Sequence, residues 1–299
     1  MTLRTSAIAL LALAAAAPAA AAPSCDRACL DGMADKVLAA MAERAPEHLP
    51  FARVVRYSEN NVSIDIGDGA WATITAHGAA AVRAADPATG QVVWMGEIAE
   101  HGQPGFMALR LKVESGRIAE IEAVIRRKGG PPQYGDPEAY RPDPAFAAAP
   151  AGREAPKAMV AAVDGWFDAV QGKRGAAKIA AGCERQDNGL ASSSGATADG
   201  GVQGCAAQIR AGVFKPIETV RARRYLVDAA RGVVVAAGFY DLPSATPKPA
   251  AAKGFSWAED FPYSLAFISA FKLKDGGVWR IDTISNAQPY LMPSPWGGK

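Results

Sequence analysis

The sequence predicts an α+β protein of two tandem units, each with helices packed on a curved antiparallel sheet. Three matched segments, in the same order in both halves, carry that expectation. Residues 109–122 (LRLKVESGRIAEIE) line up without a gap on residues 269–282 (SAFKLKDGGVWRID). Residues 90–96 (GQVVWMG) match 232–238 (GVVVAAG), and Glu59-Asn60 matches Asp187-Asn188. A helix followed by hairpin-connected strands places helices on one sheet face. If the sheet curves, it encloses a concave space of the kind that holds small ligands.

The chain opens with features of a secretory signal over residues 1–22. Arg4 supplies a positive start, residues 7–17 an apolar run, and Ala20-Ala21-Ala22 small residues for cleavage. The run is too short for a membrane span, which needs about 20 apolar residues. The expectation is a periplasmic or secreted protein with no stable membrane insertion after cleavage. Alanine- and arginine-rich usage points to a high-GC bacterium and so to the periplasm. The net charge of +2 offers no basic field for nucleic acid. Arg126-Arg127-Lys128 and Arg221-Ala222-Arg223-Arg224 read as a solvated face or local salt bridges.

The first unit, residues 23–128, starts with a helix over 26–44. Leu30, Met33, Val37, Leu38 and Met41 recur at helical spacing, and Pro46 and Pro50 end it. Strands are expected at 52–57, 62–66, 70–76, 92–100, 106–114 and 118–127, separated by glycine-rich turns. Proline and glycine density over 129–156 reads as an extended connector. The second unit, 157–299, repeats the order with a helix over 158–170. Strands follow near 220–227, 233–241, 265–274 and 278–284. Residues 189–204 and 244–254 read as loops. The tail Tyr290–Trp296 carries two aromatics and a methionine, which predicts docking on the core.

Cys25, Cys29, Cys183 and Cys205 are an even set in an oxidising compartment, where disulfides are expected. Three pairings are possible. Cys183–Cys205 is favoured because it closes a Gly/Ser-rich loop, and Cys25–Cys29 is close enough for a local bridge. None of the three histidines, His48, His77 and His101, stands at ligand spacing from a cysteine, so no metal and no cofactor is expected.

Several stretches resemble a family of secreted proteins common in fungi that carries a domain of unknown function. They are Cys25–Leu30 (CDRACL), Leu49–Arg56 (LPFARVVR), Tyr57–Asn60 (YSEN), Gly67–Trp71 (GDGAW) and Pro289–Trp296 (PYLMPSPW). Each half is similar in layout to the cone-shaped SnoaL-like, or nuclear-transport-factor-two-like, fold. That wider fold includes ketosteroid isomerase, scytalone dehydratase, limonene-epoxide hydrolase and polyketide cyclases, as well as non-catalytic binding proteins. The resemblance implies two cone-shaped units and a pocket in each. It carries over no catalytic residue, because the closer family has no established reaction and fold alone does not give function.

The enzymes of that fold work mostly by proton transfer, with an acid or base in an apolar pocket where burial shifts its pKa. Tyr57 and Glu59 are two apart and share a face if extended. His77 continues the parity of Trp71, Thr73 and Thr75. These predict His77, Glu59 and Tyr57 as base, acid and polariser, with Trp71 and Trp94 as walls and Asn60 and Glu97 nearby. The second unit offers Arg185, Asp187 and Asn188, with Tyr240, Asp241, Trp257 and Tyr263. Asp187 and Asp241 stay open as alternative bases. Turn and capping roles explain Glu59-Asn60 and Asp241 equally simply. Histidines occur only before residue 102, which favours the first pocket.

The resulting expectation is an exported cofactor-independent lyase, isomerase or hydrolase acting on a small, partly apolar molecule. A non-catalytic small-ligand binding protein is the alternative, and an interaction module a third. A single chain with two fused halves is expected to be a monomer.

Overall fold

The computed structural model describes residues 25–129, 135–150, 152–173, 175, 177–192, 204–243 and 261–297. The expected signal segment, the loop at 244–254, Trp257 and most of the Gly/Ser-rich loop lie outside these residues. Helix α1 spans Arg27–Glu43. Asp26 caps it by accepting the Cys29 amide, and Arg44 ends it in a left-handed conformation. Strand β1 (Phe51–Glu59) follows, then β2 (Val62–Ser63), a helical turn α2 (Ala70–Thr73), β3 (Ile74–Asp86), β4 (Gln91–Glu100), β5 (Gln103–Glu114) and β6 (Arg117–Arg126). The second half supplies α3 (Pro156–Val170), β7 (Ile179–Asp187), β8 (Leu190–Ala191), α4 (Cys205–Ala211), β9 (Thr219–Asp228), β10 (Val233–Leu242), β11 (Tyr263–Lys274) and β12 (Gly277–Pro289).

The result is a mixed α/β protein with two six-stranded sheets and few helices. The sheet orders are β2-β1-β6-β5-β4-β3 and β8-β7-β12-β11-β10-β9, the same order in each half. The three matched segments occupy equivalent places. Strand β11 is β5 moved 160 residues along the chain, and β7 and β8 are β1 and β2 moved 128. Asn60 and Asn188 both adopt left-handed backbone, at φ 46° and 47°. Each side chain then clips the next strand, Asn60 Oδ1 accepting the Ile125 amide and Asn188 Oδ1 the Ser285 amide.

The sheets are not wholly antiparallel. Strand β1 runs parallel to β6, and β7 parallel to β12. These pairs are not joined by hairpins, so the chain must cross from β1 around three hairpin-linked strands before β6 lies against it. Residues 70–76 are not one strand either. Ala70–Thr73 turn as α2, with Trp71 and Ala70 buried, and β3 then runs ten residues beyond the expected end. That extension is alanine-rich and carries a weak strand signal. Strand β7 and helix α4 also went unforeseen in sequence.

Three large apolar clusters account for most of the core. In the first half Leu30, Val37, Leu38 and Met41 of α1 share one with Trp71, Trp94, Leu109, Leu111 and Ile121. In the second half Met159, Val163, Trp166 and Phe167 of α3 share one with Tyr240, Leu265, Phe267 and Phe271. The third joins the two sheets. Val82, Val93, Met95, Phe106 and Val124 from one meet Leu226, Val235, Ile268 and Ile284 from the other.

The connector is not simply extended. Tyr140 and Phe146 are buried in that inter-sheet cluster, and Pro144–Phe146 form a short 3-10 turn capped by Asp143. The tail crosses back to the first half. Trp296 donates its indole N–H to Ser58 Oγ (2.9 Å) and lies against the guanidinium groups of Arg56 and Arg110. Disulfides join Cys25 to Cys29 and Cys183 to Cys205, with Cα separations of 5.2 and 5.5 Å. The two bridges fit an exported protein. Among the described residues no helix is long and apolar enough to cross a membrane.

Candidate functional site

The parallel β1–β6 pair places Tyr57 level with Ile121 and Glu59 level with Ala123. Neighbours in register share a sheet face, so both point to the side that carries the α1 cluster. The Tyr57 hydroxyl donates to Glu59 Oε2 (3.2 Å), which also accepts the Ala70 amide at 2.6 Å. Glu59 Oε1 accepts from Arg127 Nη2 at 2.8 Å. Arg127, just past the end of β6, also binds Glu100 at the end of β4. Its Nε donates to Glu100 Oε2 (2.6 Å) and its Nη2 to Oε1 (2.7 Å). Thr73 completes the set by donating to Glu100 Oε1.

Charge and burial act together here. Hydrogen bonds that Arg127 donates to Glu100 and Glu59 push its guanidinium further into its charged form. Burial pushes the Glu100 carboxyl up, but hydrogen bonds from Arg127 and Thr73 and the Arg127 charge outweigh it and hold it below the ordinary range. Burial, with the Glu59 charge adding to it, raises Tyr57 far above a free phenol. Tyr57 is therefore a neutral hydroxyl and Arg127 a fixed cation.

Thr73, Glu100 and Arg127 of this cluster line a cleft of about 840 Å³, which Tyr57 and Glu59 do not reach. Thr73, Glu100, His101 and Arg127 form one wall. The connector forms the other with Gly135, Asp136, Pro137 and Glu138. Lys128 is exposed and stands on the first wall beside Arg127. A smaller space of about 370 Å³ adjoins it at Trp71 and His101.

The remaining predicted residues fall in different places. His77 is exposed and does not join Tyr57 and Glu59. Its Nδ1 meets the Gly78 carbonyl, and its ring meets Trp94 edge-on with centroids 5.9 Å apart. The helical turn at Ala70–Thr73 and the register shift between Ile74 and Ala76 break the strand parity from Trp71 to His77. Trp71 and Trp94 are core residues at 1 % and 0 % exposure; neither lines the larger cleft, and Trp71 borders the smaller space. Glu97 sits against Gly78 on β3. Asn60 and Asn188 spend their side chains on backbone amides, as above.

In the second half the equivalent of Glu59 is Asp187, and Arg185 takes the place of Tyr57. Arg185 binds Asp187 and Gln208, Ser192 donates to Asp187, and Gln208 donates to the Ser192 carbonyl. All four are buried. Helix α4, held by the Cys183–Cys205 bridge, delivers Gln208 and covers this network. Tyr240 stacks on Phe267 at 4.3 Å, and burial raises its hydroxyl well above the ordinary value. Asp241 is odd in register on β10 and faces away from Tyr240. It binds Arg221 (2.7 Å) and Ser264 and closes the β9–β11 end of the sheet. Tyr263 is buried opposite Leu242 and Pro289.

Residues 152–285 match a family model described as a domain of unknown function (DUF8021). The match runs from just before α3 into β12, and so covers Asp187, Tyr240, Asp241 and Tyr263 but not the first half or the tail. No curated protein matches the chain.

Arg127, Glu100, Thr73 and the connector wall were missed in sequence. Arg127 was read only as part of a charge cluster. Its role depends on the parallel β1–β6 pairing, which brings residues 68 positions apart together.

Proposed function

We propose that the protein is an exported binder of a small, partly apolar molecule, held in the cleft between the first sheet and the connector. It is built from two cone-shaped SnoaL-like units fused as an internal pair and acts as a monomer. The single observation that carries this reading is the pinning of Glu100, the carboxylate of the first wall, by the Arg127 cation beside it. Glu59 accepts from Tyr57, Ala70 and Arg127, and Glu100 from Arg127 and Thr73. A general base needs a lone pair within reach of the substrate proton. Here Arg127 and Thr73 hold Glu100 by three hydrogen bonds and keep it a weakened base, Asp136 and Glu138 stand on the opposite wall, and among the described residues no hydrogen bond orients the His101 ring. The groups instead make a rigid polar floor, with apolar contact from Pro104 and Pro137. A few fixed polar groups in a partly apolar hollow suit recognition without turnover.

The test pairs binding with turnover. A panel of small molecules is screened against the full chain by calorimetry, and each hit is incubated and analysed for product. Gln103 is exposed at the cleft rim and outside the Glu–Arg cluster, so Gln103→Trp blocks the space without disturbing the floor. The expected result is saturable binding lost in Q103W, with ligand recovered unchanged. Multiple turnovers of a hit, or binding indifferent to Q103W, would overturn the reading. Sedimentation showing a stable dimer would overturn the monomer.

A further inference from the structure

Among the described residues Asp282 is a buried acid of the inter-sheet layer with no cation, and its counterpart in the other half shows what is missing. Asp282 on β12 is the repeat equivalent of Glu122 on β6. Glu122 is bound by Arg110, opposite it on β5, and by Arg224 reaching across from β9. The residue opposite Asp282 on β11 is Ala270, and the place on β3 that corresponds to Arg224 is Val82. Both places hold apolar residues.

Asp282 keeps one polar partner. Its Oδ2 accepts from the Tyr140 hydroxyl at 2.8 Å, while Oδ1 is buried with no partner. The groups on the elements around it cannot neutralise it. Arg280 on its own strand is taken by Asp143 of the connector, Arg224 and Arg110 by Glu122, and Arg126 donates to the Gly129 carbonyl. Gln186, level with it on β7, is neutral, and Asp187 is a second negative charge. Burial pushes the carboxyl up to about 7, with Asp187 and Asp143 adding to it against the Tyr140 hydrogen bond.

Tyr140 belongs to the same connector segment that walls the cleft. Its amide donates to the Pro137 carbonyl, and Gly135 and Pro137 line the cleft. Tyr140 also meets Phe106 edge-on at 5.6 Å, at the centre of the inter-sheet cluster. We propose that Asp282 and Tyr140 form a proton-controlled latch that docks the connector, so that the cleft wall is firm in mildly acidic surroundings and loosens in alkaline ones. With the proton on, a neutral acid and a phenol sit in an apolar layer. With it off, a bare oxygen anion is buried, and admitting water by undocking Tyr140 relieves it. The effect on ligand rests on the binding role proposed above. The latch itself does not.

Amide hydrogen exchange tests it on the full chain without any ligand. After correction for intrinsic rates, protection over residues 135–143 is expected to fall about threefold or more between about pH 6 and about pH 8. In Asp282→Asn it should stay flat. A flat wild-type profile, or an identical response in D282N, would overturn the latch. If D282N does not fold, the carboxyl carbon resonance of Asp282 in the wild-type chain decides. A midpoint near the ordinary 3.8 overturns the proposal, and one near neutrality supports it. Ligand binding with flat exchange sinks the latch and leaves the binder. Responsive exchange with no ligand found does the reverse.

Discussion

Asp86 and Asp228 hold the two halves together by exchanging the same hydrogen bond. Asp86 Oδ2 accepts the Val227 amide and Asp228 Oδ2 accepts the Ala85 amide, each at 3.2 Å. Each aspartate ends its own strand, β3 or β9, and caps the end of the other. The halves thus meet about an approximate two-fold axis, as two subunits would in an isologous dimer. The symmetry is broken by one cation. Arg27 of α1 pairs with Asp228, and its Nη2 also approaches the Ala85 carbonyl. Asp86 instead spends Oδ1 on the Ala88 and Thr89 amides of its own turn.

That asymmetry sets the order of two substitutions. The Asp228 side chain is fully buried, so Asp228→Ala strands Arg27 and the Ala85 amide and should cost about 2–4 kcal/mol. Asp86→Ala loses only amide contacts, at about 1–2 kcal/mol. Urea denaturation of both variants checks the order. Equal losses would show that the Arg27 pair adds nothing to the seam.

The tail should behave as a clasp between halves. Trp296 covers Arg56 at 4.6 Å and Arg110 at 5.0 Å and bonds Ser58. Arg110 also serves Glu120 and Glu122, so the indole rests on an ordered guanidinium. Trp296→Ala should lower stability by about 1–2 kcal/mol, and Trp296→Phe by less, since a phenyl ring keeps the cation contact and loses the N–H. Thermal melts give the stability, and limited proteolysis of the C-terminus should speed up in the alanine variant.

Much of this architecture was legible in the sequence, and the reasons are local. The α1 stripe, the alternation of Leu109, Leu111 and Val113, and the glycine-bounded turns are short-range signals. The repeat alignment added long-range information, because equal spacing in two halves implies equal topology. What stayed hidden depends on pairing between distant strands. The parallel β1–β6 contact brings Arg127 to Glu59, and no local pattern announces it. Helix α2 was hidden because Ala-Trp-Ala-Thr has the alternation of a strand, yet the turn at Gly69 and the burial of Trp71 select a helical turn. His77 was assigned by counting parity through a helical turn and a register shift. The connector's burial turns on Tyr140 and Phe146, two aromatics in a stretch whose prolines dominated the reading.

The floor of the cleft predicts an acid sensitivity with a definite sign. Glu100 has a folded pKa below its ordinary 4.5. Its contribution is complete above 4.5 and is lost as pH falls through the lower folded value. The stability gap between wild type and Glu100→Gln should therefore be constant near neutrality and narrow between about pH 5 and about pH 3. Denaturation midpoints across that range check it. A gap that widened on acidification would mean that Glu100 is not the ionised partner of Arg127.

The last prediction uses the repeat itself. Gly96 on β4 and Gly238 on β10 occupy equivalent places, each facing a bulge in the neighbouring edge strand. A Cβ at Gly96 would lie 2.8 and 2.9 Å from two ring carbons of Trp94 and 3.0 Å from the Ala80 carbonyl. At Gly238 it would lie 2.9 Å from the Arg221 carbonyl and 3.2 Å from the Phe267 ring. Both glycines let backbone from the bulged strand approach closely, so the conservative change to alanine overpacks each site. Trp94 is fully buried and has no room to rotate away, whereas the Phe267 contact is longer. Gly96→Ala should cost about 2–3 kcal/mol and Gly238→Ala about 1–2 kcal/mol. Trp94 reports the first directly, because its displacement should shift tryptophan emission in G96A and leave it unchanged in G238A. Two neutral alanine variants would show that the bulges tolerate a methyl group and that the shared glycine marks descent rather than packing.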